Sequence, residues 1–169
     1  LVTESFVNPH LHLDKVYTLD RMDELAMQSY HGEGMRNAVN AIELASRVKE
    51  QYDETWIMPN VRKTLDLAVK NGNTHIRAFA DVDSKAKLIG VSALLKAREE
   101  YKGRVDLQVV AFAQDGVVRE PGAEQLVRDA MALGLHGVEI ATFSPGIDLS
   151  SPALEGFWAL AEELDALVF

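Results

Sequence analysis

The chemistry in this sequence gathers where a strand-like run stops. In "FVNPHLHLDK", residues 6–15, an apolar stretch breaks at Pro9, sets His10 and His12 one residue apart, and continues into Asp14 and Lys15. Residues two apart along a β-strand point to the same face. The two imidazoles are therefore expected to project together, with Leu11 and Leu13 buried on the opposite face. Such a pair suits one divalent metal ion, zinc or iron. A catalytic zinc usually has three protein ligands plus water, and the other histidines do not complete the set. His31 lies in the loop "YHGEG", His75 opens a later strand at the wrong end, and His136 precedes another strand. All three read as surface or boundary residues.

Elements of two kinds alternate to hold this pair. The runs "ESFVNPHLHLD", "THIRAFADV", "RVDLQVVAFA" and "HGVEIATF" are rich in Val, Ile, Phe or Thr and bounded by turn residues, so they read as strands. Between them, "NAVNAIELASRVKEQY", "TWIMPNVRKTLDLAVKNG", "KLIGVSALLKAREEYKG" and "GAEQLVRDAMALG" read as helices. The last three of these end on Gly72, Gly103 and Gly134, suited to a left-handed helix terminus. "SPALEGFWALAEELDA" opens on Ser151 as cap with Pro152 in the first turn, and "LVF" begins a further strand.

Each strand-to-strand repeat has the length of a βα unit, which predicts a parallel sheet with right-handed crossovers. Only the first crossover is long. It holds an extra helix and the segment "HGEGMRN", read as a loop over the mouth with Tyr30 and Glu33 as candidate substrate contacts. Two architectures satisfy the rhythm, an open doubly wound sheet and part of a closed (β/α)8 barrel. A whole barrel needs ~250 residues. A run that stops inside a strand favours the first half of a barrel: four βα units plus the start of strand five, one domain over residues 1–169. No Gly-x-Gly-x-x-Gly or Gly-Lys-Ser/Thr loop follows the first strand, which counts against a nucleotide-binding domain.

Composition narrows the partners. The 169 residues are 47% hydrophobic and 25% charged, with a net charge of −9. Cationic residues are scattered among carboxylates, as in "KAREEYKGR", so nucleic acid is not an expected partner. With no cysteine there is no thiolate metal site. No apolar run reaches bilayer-spanning length and no leader-like segment opens the chain. The expectation is a cytoplasmic protein with a small, uncharged or weakly polar ligand and no membrane contact.

"FVNPHLHLDK" resembles the first-strand metal motif of the amidohydrolase superfamily, most closely its cytosine deaminase-like branch. "NGNTHIRAFADVDS" resembles that branch's second strand, "RVDLQVVAFAQDG" its third, and "GAEQLVRDAMALG" the helix after it, so the resemblance spans essentially the whole chain. It implies a barrel of the metal-dependent hydrolase type, with one divalent ion activating water for attack on a C–N bond of a cyclic amidine or amide. His10 and His12 match the first two metal ligands. Gln114, in "AFAQDG", falls where cytosine deaminases use a glutamine to hydrogen-bond the substrate ring. Asp81 and Asp83 match positions after the second strand and read as local loop and cap residues.

Departures from the pattern matter as much. Where relatives often read Arg-Thr-His-Val-Asp, this chain has Arg77-Ala78-Phe79-Ala80-Asp81; Phe79 replaces the histidine and gives the substrate pocket an apolar wall. The fourth strand, "EIATFSPG", has no lysine to bridge two metals, which implies a single ion, and Glu139 reads as a structural mid-strand residue. The family's remaining ligand histidine, acid/base glutamate and strand-eight aspartate are expected beyond Phe169, so the segment alone is expected to be inactive. Phe79 and the altered fourth strand also motivate an alternative, a catalytically inactive or truncated relative that binds a ligand or partner. The open edges of a half-barrel invite association with another chain, a second copy included.

Overall fold

The computed structural model describes residues 4–21, 48–114, 116–117, 120–140 and 148–169. Tyr30, His31 and Glu33 lie outside the described residues, as do most of the extra helix and the end of the predicted fourth strand. In chain order the elements are β1 (Phe6–Leu11), α1 (Glu54–Lys70), β2 (Asn73–Asp81), α2 (Ile89–Glu100), β3 (Asp106–Phe112), α3 (Ala123–Ala132), β4 (Gly137–Glu139), α4 (Glu155–Glu163) and β5 (Leu167–Val168).

Local signals set most of these boundaries. The Asp53 side chain accepts from the Trp56 N–H at 2.8 Å and caps α1. Ile57, Val61 and Leu65 then recur every four residues, and all three are buried. Gly72 ends the helix at φ +81°, a conformation that needs no side chain. Ser151 caps the approach to α4, although its proline belongs to a short 3-10 turn, Pro152–Leu154, rather than to the α-helix itself. No helix among the described residues is long and apolar enough to cross a membrane.

The strands form one parallel sheet in the order β1-β2-β3-β4-β5. A doubly wound sheet reverses its strand order at a switch point; strict sequential order is that of a barrel wall. The two faces agree. Ile76, Ala78 and Ala80 of β2 and Leu107, Val109 and Ala111 of β3 share one core with Val61, Val91, Leu94, Val127, Phe157 and Leu160 of the helices. Phe79, Val110 and Phe112, the alternate residues of the same strands, form a separate cluster against Phe169. The four helices α1–α4 therefore cover one face, and the other lines a barrel interior.

Two strands depart from regular alternation. Between Asn8 and Leu11, β1 advances three residues while β2 advances two, from Ile76 to Ala78. Pro9, which has no N–H for the ladder, sits in this bulge. The Asn8 side chain accepts from the His10 N–H at 3.2 Å. β1 then stops at Leu11, so His12 lies beyond it, leading into a 3-10 turn, Leu13–Lys15. The simple two-residue alternation expected for the histidine pair is thus replaced by a bulge and a turn. Leu13 is fully buried as expected, whereas Leu11 is only half-buried. β4 is only three residues long, and Glu139 is its last residue, not mid-strand.

Gly137 is where β4 and β5 meet. A Cβ there would collide with the Leu167 carbonyl oxygen and lie 2.9 Å from the Phe169 ring. The oxygen is backbone and cannot rotate away. Gly137→Ala is expected to lower unfolding stability by about 2 kcal/mol, read as a fall in denaturation midpoint with increased amide exchange at Ile140 and Phe169.

Candidate metal and substrate site

The interior residues of chemical interest all sit at the C-terminal ends of their strands, where barrel enzymes assemble active sites. His10 lies in the β1 bulge and His12 just past the strand, Asp81 ends β2, Gln114 stands two residues past β3, and Glu139 ends β4.

The imidazoles converge. His10 Nε2 and His12 Nε2 are 3.2 Å apart, with ring planes at 77°. Zinc–nitrogen bonds of about 2.0–2.1 Å at a tetrahedral centre would put two ligand nitrogens about 3.3 Å apart, so this spacing fits one shared ion. Burial, aided by the charge of Lys15 and by His10, pulls the His12 pKa down to about 3. A neutral ring keeps a lone pair for a metal. Phe79 packs against both rings, its centroid 4.3 Å from His10 and 5.7 Å from His12. At 2% exposure it supports the pair from within the sheet's inner face.

Carboxylates crowd the same place. His12, Asp14 and Asp81 offer ligand atoms within 4.8 Å of one another. Asp14 Oδ2, however, accepts from the Tyr52 hydroxyl at 3.2 Å and from the Asp81 N–H at 3.0 Å. Asp81 is bound by Lys15 at 2.7 Å through one oxygen and by Lys49 at 3.3 Å through the other. An ion among these carboxylates would face two ammonium groups, so the Nε2 pair is the better seat.

Asp81 is therefore no loop or cap residue. It is completely buried, and it closes β2 as an ionic bridge between lysines from two distant segments. Asp83 does cap locally, accepting from the Lys85 and Ala86 N–H groups at 2.9 and 2.8 Å, and it also pairs with Lys49. Burial opposes its charge, yet Lys49 and the two amides hold its carboxyl below the usual range. Asp14 is pushed the other way, by burial and by the neighbouring charge of Asp81. Burial likewise raises Glu139 to about 6, and its Oε2 is buried with no hydrogen-bond partner. The Lys15 and Asp81 charges both act on Glu139, which joins it to the same cluster.

Gln114 meets Lys15. The Lys15 Nζ donates to Gln114 Oε1 and to Asp81 Oδ1, each at 2.7 Å, and lies 5.3 Å from the centroid of Phe112. The Phe112 ring is also 5.0 Å from that of His12, so a single aromatic side chain links the imidazole pair to the Lys15–Gln114 pair. Sequence reasoning missed Lys15, Lys49 and Tyr52. Only Lys15 carried a signal, three residues after the second histidine.

The remaining described histidines lie elsewhere. His75 lines a groove of ≈ 530 Å³ with Arg98, Lys102 and Arg104 at the N-terminal end of the strands. His136 Nδ1 accepts from the Val109 N–H at 3.2 Å, a boundary contact between neighbouring strands.

Asp81→Asn should destabilise the protein by about 3 kcal/mol, because two lysines lose their common buried partner; urea denaturation measures it. The Asp83 carboxyl has a lowered pKa in the fold. Its contribution is fully present above the unfolded value near pH ~4 and is lost as pH falls through the lower folded value. Asp83→Asn should remove that part of the acid-side loss in a pH series of unfolding free energies.

No protein-family model matches the chain. It is 34% identical over 170 residues to the N-isopropylammelide isopropyl amidohydrolase of Pseudomonas sp. (strain ADP), covering 98% of this chain and 40% of that one. The 5-methylcytosine deaminase of Klebsiella pneumoniae superposes with a TM-score of 0.79 at 24% identity, over 97% of this chain and 38% of that one. The N-isopropylammelide isopropylaminohydrolase of Burkholderia multivorans does so with a TM-score of 0.69 at 27% identity, over 97% and 39%. The chain thus spans about 40% of the length of the curated relative. Sequential order of the strands, helices on one face, a converging histidine pair at the β1 terminus and these relationships together show that the chain is similar, over about 40% of their length, to enzymes of the amidohydrolase type.

Proposed function

We propose that this chain supplies the front part of the active site of a metal-dependent hydrolase acting on C–N bonds of a cyclic amidine or amide. The observation that carries this reading is the 3.2 Å approach of His10 Nε2 to His12 Nε2 at the C-terminal end of β1. Further βα units, expected to lie after Phe169, would close the sheet between its edge strands β1 and β5 and bring the acid/base carboxylate.

His10 and His12 would hold a single divalent ion, zinc or iron. Such an ion lowers the pKa of water from near 15.7 towards about 7, so a nucleophile is available at neutral pH. The chain's own residues do the rest. The depressed pKa of His12 keeps it an unprotonated donor across the physiological range. Phe79 and Phe112 keep water away from the inner side of the imidazoles, with exposures of 2% and 3%. Gln114 would orient a planar heterocycle by hydrogen bonding in the ring plane. Phe79 replaces a polar donor with an apolar ring, so it favours a substrate that asks for no hydrogen bond there.

Replacing both His10 and His12 by alanine in the natural protein should abolish stoichiometric zinc or iron by elemental analysis. Ammonia or amine release from cyclic amidines and amides should then fall to the level of the chelator-treated protein. A well-folded wild-type protein that takes up neither metal would overturn the reading and favour a ligand-binding module.

A further inference from the structure

We propose that Lys15 is a positioning residue that locks the Gln114 amide with its NH2 group presented to the ligand, so that the site selects heterocycles offering a hydrogen-bond acceptor at that point. This rests on the functional reading above and deepens it from a general amidine or amide to rings that carry a carbonyl or an unprotonated nitrogen beside the contact.

A lysine ammonium carries three donors and no acceptor. Whichever way the Gln114 amide is turned, the atom facing Lys15 must be its oxygen, and the 2.7 Å contact is to Oε1. A flipped amide would set NH2 against NH3⁺, with two donors facing and no bond between them. The ammonium itself does not move freely. The Asp81 carboxylate holds it at 2.7 Å, and Asp81 is completely buried and held in turn by Lys49. The Phe112 ring adds a cation–π contact 5.3 Å from its centroid. With Oε1 so engaged, the Gln114 NH2 donates to nothing among the described residues. Gln114 stands at the strand-end rim, bonded to the ammonium that lies over the same Phe112 ring that touches His12. A glutamine left to itself serves donors and acceptors alike by turning over; this one is committed to acceptors. Lys15 is also neutralised by Asp81, so it does not serve as a docking charge for anionic substrates.

The test uses the natural full-length, metal-loaded protein and two probes, cytosine and diaminopyrimidine, which differ in carrying a carbonyl or an amino group at one ring carbon. Dissociation constants are measured at a pH where both are neutral. Wild type should prefer the carbonyl ring at least about tenfold, since the wrong group leaves a donor facing a donor. Lys15→Met should cut that preference to within about threefold, while Lys15→Arg, which keeps donors towards both acceptors, should retain it. Gln114→Glu, with one oxygen held by Lys15 and the other presented to the ligand, should invert the preference. A folded Lys15→Met protein with undiminished preference, or a Gln114→Glu protein without inversion, would overturn the proposal. Should wild type bind neither ring, the hydrolase reading is decided by metal uptake as above, and the positioning claim is decided without ligand by the NMR order parameter of the Gln114 side-chain amide. A rigid amide loosened by Lys15→Met supports it; an amide equally mobile in both overturns it.

Discussion

The mouth of this sheet is organised by one buried negative charge. Asp81 has no exposed surface, and an unpaired carboxylate there would cost several kcal/mol. Pairing it requires the turn after β1 to deliver Lys15 and the segment before α1 to deliver Lys49, across separations of 66 and 32 residues. Once Lys15 is drawn to Asp81, the chain just before it must lie across the strand ends. The histidine pair is thereby carried onto Phe79.

The inner face shows why so few polar contacts suffice. Below the imidazoles lies an aromatic layer of Phe79, Phe112 and Phe169, ring against ring at 6.5 Å with near-perpendicular planes. Deeper still, Arg77 lies 4.0 Å from the Phe169 centroid and its Nε donates to Gln108 at 2.6 Å. The polar residues at the strand ends are thus seated on an apolar floor, where low local polarity strengthens each charged contact. Gly137 belongs to this arrangement, because its missing side chain leaves room for the β5 backbone and the Phe169 ring.

Much of the architecture was legible in the chain. The Val-, Ile- and Phe-rich runs bounded by turn residues gave β2 and β3, and Gly72, Gly103 and Gly134 marked helix ends, because such signals act within a few residues. The extent of β4 was not legible. Strand length depends on partners, and β4 pairs with β3 over only three residues, ending at Glu139. Nor was the β1 bulge, which depends on how Pro9 meets the ladder of β2.

The sequence by itself determined residue chemistry and local conformation: two imidazoles after a proline-broken strand, a glutamine after β3, and helices and strands in alternation. Only the tertiary structure decided that Asp81 is a buried bridge and not a loop cap, that Glu139 stands at the rim, and that Lys15 grips Gln114. The physical reason is distance along the chain. Lys15 and Gln114 are 99 residues apart, and no local pattern encodes a contact that arises only when β1 and β3 align their ends on either side of β2.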